Sequence, residues 1–291
     1  MKKVIVIGRG PAGISAALYT ARAGLDTLIV AKDGGAIERA VTIENYYGFA
    51  EPISGKELSK AASLGAKRLG VGFVEGEVTA LEIVEGGYAV RANGKEYFAN
   101  GVVIATGARR RTPKIPGMQE FLGRGVSYCA VCDSFAARGR DAAVIGAGEY
   151  AVSEALTLLG VSRSVTLCTN GEAPPAGIPE GIAVRTEPIA AIEGEETVTA
   201  LRFFSGETLR VGMVFSAIGV AGGATLAERL GIPTEDGRLR VDERGATPLP
   251  GLYAAGDCTG GFLQIATAVA EGARAGAELA AELKRQWSTG G

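Results

Sequence analysis

The chain has 291 residues, a formal net charge of −2 and no histidine. The near-balanced charge leaves no field to draw in nucleic acid or anionic lipid. The missing imidazole removes histidine-based triads and most zinc sites.

Met1-Lys-Lys runs straight into Val4–Ile7 and a glycine turn. That apolar run is too short for a secretory h-region, so it reads as a first strand and the protein as soluble and cytoplasmic. No stretch approaches the ~18 apolar residues that span a bilayer, which predicts no membrane contact. The strand meets Gly8-Arg-Gly-Pro-Ala-Gly13 and then an Ala-rich helix to about Ala23. Strand, glycine turn and helix in that order open a dinucleotide-binding unit: Gly8 makes the turn, Gly10 admits a pyrophosphate, and Gly13 lets helix and sheet approach. The helix N-terminus adds free N–H groups and a positive dipole end. Further strands are expected at Thr27–Val30, in a hairpin-like Phe73–Ile83 and Tyr88–Arg91, and at Val102–Ala105 before Thr106 and Gly107.

A second unit repeats the plan: Ala142–Ile145, the turn Gly146-Ala-Gly-Glu-Tyr-Ala151, and a helix to about Leu159. Two fingerprints in the right context are far stronger than one. Val214–Ile218 with Gly219 ends another strand, and Leu252-Tyr-Ala-Ala-Gly256-Asp257 precedes a helix from about Gln264 to Arg285. Pro-rich 109–116 and Gly-rich 219–223 read as linkers bracketing the second unit. The predicted fold is α/β, two Rossmann-like three-layer domains with the second inserted into the first. Residues 1–110 and 221–291 form one domain and 111–220 the other.

Cys129-Ala-Val-Cys132 followed by Asp133 carries the chemistry. The spacing allows a disulfide across one turn, and a helix beginning at Cys132 would favour its thiolate. With no histidine, Asp133 is the nearest group to move the proton of thiol–disulfide exchange. An inert buried pair, or a zinc site with Cys168 and Cys258, are the alternatives; the latter lacks a second CxxC. Cys168 and Cys258 read as small core residues.

The ordered set Gly8–Gly13, Ile43-Glu-Asn-Tyr-Tyr-Gly-Phe49, Ala105-Thr-Gly107, Cys129–Asp133, Gly146–Ala151 with Ser153-Glu-Ala-Leu156, and Ala254-Ala-Gly-Asp257 followed by Gln264 resembles the low-molecular-weight thioredoxin reductases, which are flavin disulfide reductases. The resemblance covers nearly the whole chain. It implies FAD in the split domain, a redox dithiol on the inserted one, NADPH at the second turn, a homodimer, and thioredoxin as protein substrate. By position, Gly8, Gly10, Pro11, Ala12 and Gly13 would cradle the FAD pyrophosphate. Asn45, Thr106 and Gly107 would line the cofactor, with Asn45 against the flavin. Gly256 and Asp257 would hold its ribityl or pyrophosphate part, and the helix from Gln264 and Ile265 would aim its positive end at the flavin. Cys129 would attack the substrate disulfide and Cys132 face the flavin.

The chain departs from the family pattern after the second turn. The strand Ser164–Leu167 ends in Cys168-Thr-Asn-Gly171, without the basic cluster that grips a 2′-phosphate, and three prolines in 172–181 exclude an ordinary crossover helix. Tyr150 stands where the family has a small residue, and Leu263 where it commonly has arginine. Loss of two charge-assisted contacts, roughly 1.5–3 kcal/mol each, points away from NADPH and toward a protein donor such as reduced ferredoxin. That pattern resembles the ferredoxin-dependent flavin thioredoxin reductases. The competing readings are a conventional NAD(P)H-dependent reductase and a flavin-binding redox sensor that does not turn over. Trp287, near the end, either covers its own domain or stacks on a flavin. Arg109–Arg111 is either a solvated linker face or a docking patch for an acidic donor.

Overall fold

The computed structural model describes residues 2–107, 115–128, 130–218, 223–235 and 237–288, with the side chains of 131, 132, 287 and 288 outside the description. Cys129, Arg109–Arg111 and most of the 219–223 linker therefore lie outside the described residues, as do the side chains of Cys132 and Trp287.

In chain order the first segment runs β1 (Lys3–Ile7), α1 (Pro11–Arg22), β2 (Asp26–Ala31), α2 (Gly55–Arg68), β3 (Gly72–Glu75), β4 (Val78–Val84), β5 (Gly87–Ala92), β6 (Lys95–Ala99) and β7 (Gly101–Ile104). The middle segment holds β8 (Val126–Ser127), α3 (Ala130–Asp133), β9 (Asp141–Ile145), α4 (Glu149–Leu159), β10 (Ser164–Cys168), β11 (Ile182–Arg185), β12 (Ile189–Gly194), β13 (Val198–Phe203), β14 (Thr208–Arg210) and β15 (Met213–Ser216). The chain then returns through α5 (Gly223–Arg229), β16 (Thr234–Glu235), β17 (Arg238–Leu239), β18 (Leu252–Ala254) and α6 (Ile265–Ser288). These segments form two compact units, Met1–Arg109 with Gly222–Gly291, and Arg110–Ala221.

The first unit is a parallel sheet in the order β18-β7-β1-β2-β3, with the antiparallel sheet β4-β5-β6 attached through the loop after β3. Val4, Val6, Ile29 and Val103 are fully buried, as apolar runs in a parallel sheet covered on its faces must be. Helices α1 and α6 pack on one another very closely: a Cβ at Gly272 would meet the Ala12 carbonyl oxygen at 2.1 Å, and one at Gly276 the Ala16 oxygen at 2.5 Å. Gly272 and Gly276 thus serve a helix crossing rather than a turn.

The second unit repeats the design, with parallel order β11-β10-β9-β15-β8 and an antiparallel sheet β12-β13-β14. Two Rossmann-like α/β domains are therefore present, as the two fingerprints imply.

Three local expectations are corrected. Phe73 belongs to β3, paired in parallel with β2 (Ile29 opposite Phe73), so the hairpin is β4–β5 and starts only at Val78. The break falls at Gly76-Glu77, where buried Glu77 accepts from Lys32 Nζ at 3.1 Å and Asn93 Nδ2 donates to the Glu75 carbonyl at 2.7 Å. Gly223 opens α5 rather than ending a linker, its N–H donating to Thr106 Oγ1 at 2.9 Å. Cys132 is the third residue of the single turn α3, not its first.

A further helix start is legible in the sequence: Ser54-Gly-Lys-Glu57 is a capping box, with Ser54 Oγ accepting from the Glu57 N–H at 3.2 Å and Glu57 Oε2 accepting from the Ser54 N–H at 3.2 Å. The Ser54 hydroxyl, which donates to Glu57 Oε2 at 2.7 Å, and the Ser54 N–H hold the Glu57 carboxyl below its usual range. Ser54→Ala is expected to remove about 1 kcal/mol, lowering the melting temperature of the first unit by roughly 2–4 °C in calorimetry.

Candidate functional site

The first glycine turn is shaped by backbone crowding. Gly8 sits at φ +114°, and a Cβ there would lie 2.2 Å from the Ala105 carbonyl oxygen; one at Gly13 would lie 2.0 Å from the Gly8 oxygen. Both positions exclude any side chain. Gly10 differs, since a Cβ there would meet nothing within 4 Å. Its open side faces space beside the N-terminus of α1, where unpaired N–H groups and the dipole favour an anion.

The neighbouring Arg9 Nε is buried without a hydrogen-bond partner among the described residues, and Arg9 Nη2 reaches Glu38 only at 3.8 Å. A buried unsatisfied cationic N–H at a glycine turn is costly unless an anion completes it. Sequence reasoning passed over Arg9 because its position in the fingerprint is unspecified by type. A cavity of about 130 Å³ adjoins the turn, lined in part by Arg9, Gly10, Pro11, Tyr46 and Ile265.

Other predicted cofactor residues converge in the same unit. Asn45 Nδ2 donates to Gln264 Oε1 at 3.1 Å, across 219 residues of chain, and both are exposed. Ile265 begins α6. Gly256 takes φ +81° beside Ala12, and its N–H donates to Glu271 Oε2 at 2.8 Å, so Glu271 on α6 fixes the turn that carries Asp257. Partial burial holds the Asp257 carboxyl above its usual range. Thr106 is already engaged, accepting from the Gly223 N–H, and Gly107 follows at φ +73°. An adenine dinucleotide bearing phosphates fits this set: an open glycine, an orphan guanidinium N–H, a free helix N-terminus and a polar pair at the head of α6.

In the second unit, Ser127 Oγ donates to Asp133 Oδ2 at 2.6 Å, which pins the exposed Asp133 one residue beyond the Cys129–Cys132 pair. Tyr150 is turned inward rather than obstructing the glycine turn; it is 3% exposed, and its OH donates to the Tyr128 carbonyl at 3.3 Å. Glu154, on the next turn of α4, accepts from the Ala130 N–H at 2.6 Å. Neither contact is visible in the sequence, since 22 and 24 residues separate the partners.

The second glycine turn keeps its backbone form: a Cβ at Gly146 would meet the Ala217 oxygen at 2.3 Å. Beyond β10, however, residues 169–181 contain no lysine or arginine and form no helix. Asn170, at φ +52°, accepts from the Ile189 N–H at 2.7 Å and so fixes this loop with its own side chain. The nearest arginine after β10, Arg185 on the adjacent strand, is bound by two carboxylates. Its Nε and Nη2 donate to Glu187 at 2.9 and 2.6 Å, and Nη2 donates to Glu207 at 2.5 Å. These bonds raise the guanidinium's hold on its proton and lower the Glu187 carboxyl.

Cys168 and Cys258 are buried free thiols. Burial pushes each up to about 12; for Cys258 hydrogen bonds from its Sγ to the Ala255 and Ile104 carbonyls (3.3 and 3.5 Å) complete the setting. Only the thiolate is a good nucleophile. Iodoacetamide at pH 8 is therefore expected to spare both in the native reduced protein and to reach them only after denaturation, read by peptide mass spectrometry. Among the described residues no group of histidine, cysteine, aspartate or glutamate is placed to hold a metal ion.

The pyridine nucleotide-disulphide oxidoreductase family model matches residues 2–272. The thioredoxin reductase of Listeria innocua serovar 6a is 36% identical over 294 residues, covering 94% of this chain and 91% of that protein. Among solved structures, the atypical thioredoxin reductase TRi from Desulfovibrio vulgaris Hildenborough is 37% identical with a TM-score of 0.92, covering 98% of this chain and 99% of that one. A ferredoxin-flavin thioredoxin reductase from Clostridium acetobutylicum is 27% identical with a TM-score of 0.75, covering 98% of each chain. The chain thus belongs to the pyridine nucleotide-disulphide oxidoreductase family, as an oxidoreductase of the thioredoxin reductase type with FAD as its cofactor.

Proposed function

We propose that this protein reduces the disulfide of a thioredoxin-like protein through the Cys129–Cys132 pair, with electrons supplied by a protein donor of the ferredoxin kind rather than by NADPH. The observation that carries the donor assignment is the second nucleotide site. It has no cation in residues 169–181, and Arg185 is committed to Glu187 and Glu207. A 2′-phosphate there would find no charge-assisted partner on that loop, and it would have to compete with Glu187 and Glu207 for Arg185.

Gly8, Gly10, Pro11, Ala12, Gly13, Asn45, Thr106, Gly107, Gly256, Asp257, Gln264 and Ile265 would hold FAD, which would supply two-electron redox chemistry when bound. Arg9 and the α1 N-terminus offset the pyrophosphate charge. The N-terminus of α6 presents its positive end beside Asn45 and Gln264, which favours negative charge at that point. The Cys129 thiolate attacks the substrate disulfide, forming one S–S bond and breaking another. The Cys132 sulfur then attacks Cys129, which releases the substrate as a dithiol and restores the Cys129–Cys132 disulfide. In this reading Asp133, whose Oδ2 accepts from Ser127 Oγ, takes and returns the thiol proton.

Two further assignments accompany this reading. A homodimer would cover the exposed Val41, Tyr47, Phe49 and Phe262 of the first unit. Two unpaired buried thiols suit a reducing cytoplasm, and among the described residues no helix is long and apolar enough to cross a membrane. The conventional NAD(P)H-dependent reading draws support from the intact Gly146 turn.

Anaerobic titration separates the two. Reduced ferredoxin is expected to bleach the flavin rapidly, with NADPH and NADH slow even at millimolar concentration. Rapid bleaching by micromolar NADPH would overturn the donor assignment. An insulin-precipitation assay with reduced ferredoxin and a panel of thioredoxins tests turnover, since a non-turnover sensor would reduce none of them.

A further inference from the structure

We propose that Glu154 is a positioning residue that holds the redox turn from beneath and biases the Cys129–Cys132 pair toward its disulfide form, so that the dithiol is a stronger electron donor. This rests on the reading of that pair as the redox couple.

Glu154 is 1% exposed, on the face of α4 that packs against α3. Its Oε2 accepts from the N–H of Ala130, the peptide nitrogen bonded directly to the Cys129 carbonyl carbon. One helical turn earlier Tyr150, 3% exposed, donates its OH to the carbonyl of Tyr128, on the other side of Cys129. The two α4 side chains thus grip the backbone immediately before and immediately after Cys129. Ser127 and Asp133 close the same segment from its ends.

A carboxylate buried this deeply is an expensive means of holding a backbone N–H. Desolvating it costs several kcal/mol before its bonds are counted, and an apolar side chain of similar size would pack at no such cost. Its chemical distinction from an uncharged acceptor is its charge. The disulfide carries no charge, whereas the reduced pair carries one whenever a thiol ionises, and a like charge nearby disfavours that state. Ionised Glu154 therefore lowers the population of the reduced pair at a given solution potential.

The balanced reaction that reads this is exchange with dithiothreitol. The protein S–S bond breaks, the cyclic reagent disulfide forms, and two electrons and two protons pass to Cys129 and Cys132. Anaerobic holoenzyme is equilibrated at pH 8 over a range of reduced-to-oxidised dithiothreitol ratios, quenched by alkylation, and the Cys129–Cys132 peptide scored by mass spectrometry. Glu154→Gln keeps an acceptor oxygen and removes the charge; it is expected to shift the equilibrium toward dithiol by at least about fivefold. Glu154→Ala is expected to shift it in the same direction. Tyr150→Phe removes a hydrogen bond without changing charge and is expected to stay within about twofold of wild type.

An equilibrium in Glu154→Gln and Glu154→Ala equal to that of wild type would overturn the proposal. So would a Tyr150→Phe shift as large as that of Glu154→Gln, because loosening of the turn would then suffice. Failure of the wild-type pair to cycle at all would instead strike the underlying redox reading.

Discussion

Gly13→Ala is expected to strip the protein of flavin. Its Cβ would lie 2.0 Å from the Gly8 carbonyl oxygen, and Gly8 is itself pressed against the Ala105 carbonyl. A backbone oxygen cannot rotate aside as a side-chain end can. The strain should therefore reach the upper end of the overpacking range, about 3 kcal/mol, and is relieved only by opening the turn that receives the pyrophosphate. Gly10→Ala is the informative partner, because its Cβ enters open space. Its apoprotein is expected to melt with that of wild type, while the added methyl group keeps the pyrophosphate from the α1 N-terminus. Flavin content from the visible spectrum and melting of apoprotein and holoprotein separate the two effects. A Gly10→Ala protein that retains flavin as tightly as wild type would remove Gly10 from the cofactor contact.

The second large effect concerns the order of sulfur chemistry. Cys129→Ser and Cys132→Ser are each expected to abolish thioredoxin reduction, because a hydroxyl does not replace a thiolate in disulfide exchange. The two should differ in what they trap. With Cys132 replaced, Cys129 still attacks, but no second thiol resolves the mixed disulfide, so a covalent complex with the substrate persists on a non-reducing gel. With Cys129 replaced, none should form. The opposite pattern would exchange the roles of the two cysteines, and turnover in either variant would remove the pair from the reaction.

Arg9 and Glu271 show where local reading stops in the first unit. The fingerprint spacing made Gly8, Gly10 and Gly13 legible because turn geometry and helix–sheet approach are dictated by neighbours within a few residues. The same rule says nothing about Arg9, whose orphaned Nε becomes meaningful only once burial is known. Nor could it select Glu271, which supports the Gly256 turn from a helix 15 residues on. The start of the hairpin is not legible in the sequence for a related reason. The apolar character of Phe73 and Val74 suits either sheet, and the choice is made by parallel pairing with β2.

What the sequence alone determined is the class of chemistry. The glycine turns specified two nucleotide-fold units, the absence of histidine excluded imidazole catalysis, and a CxxC followed by Asp supplied the candidate redox pair. The absence of lysine and arginine from residues 169–181 is also legible in the sequence. Only the tertiary structure decided what those elements are attached to. Tyr150 reads as a bulky residue in a fingerprint, yet it donates to the Tyr128 carbonyl beside the CxxC, and Glu154 one turn on accepts from the Ala130 N–H. Arg185, which a linear reading would count as an available cation, is spent on Glu187 and Glu207. Periodicity and turn chemistry are encoded between near neighbours, whereas the partner of a buried charge is set by the packing of elements distant along the chain.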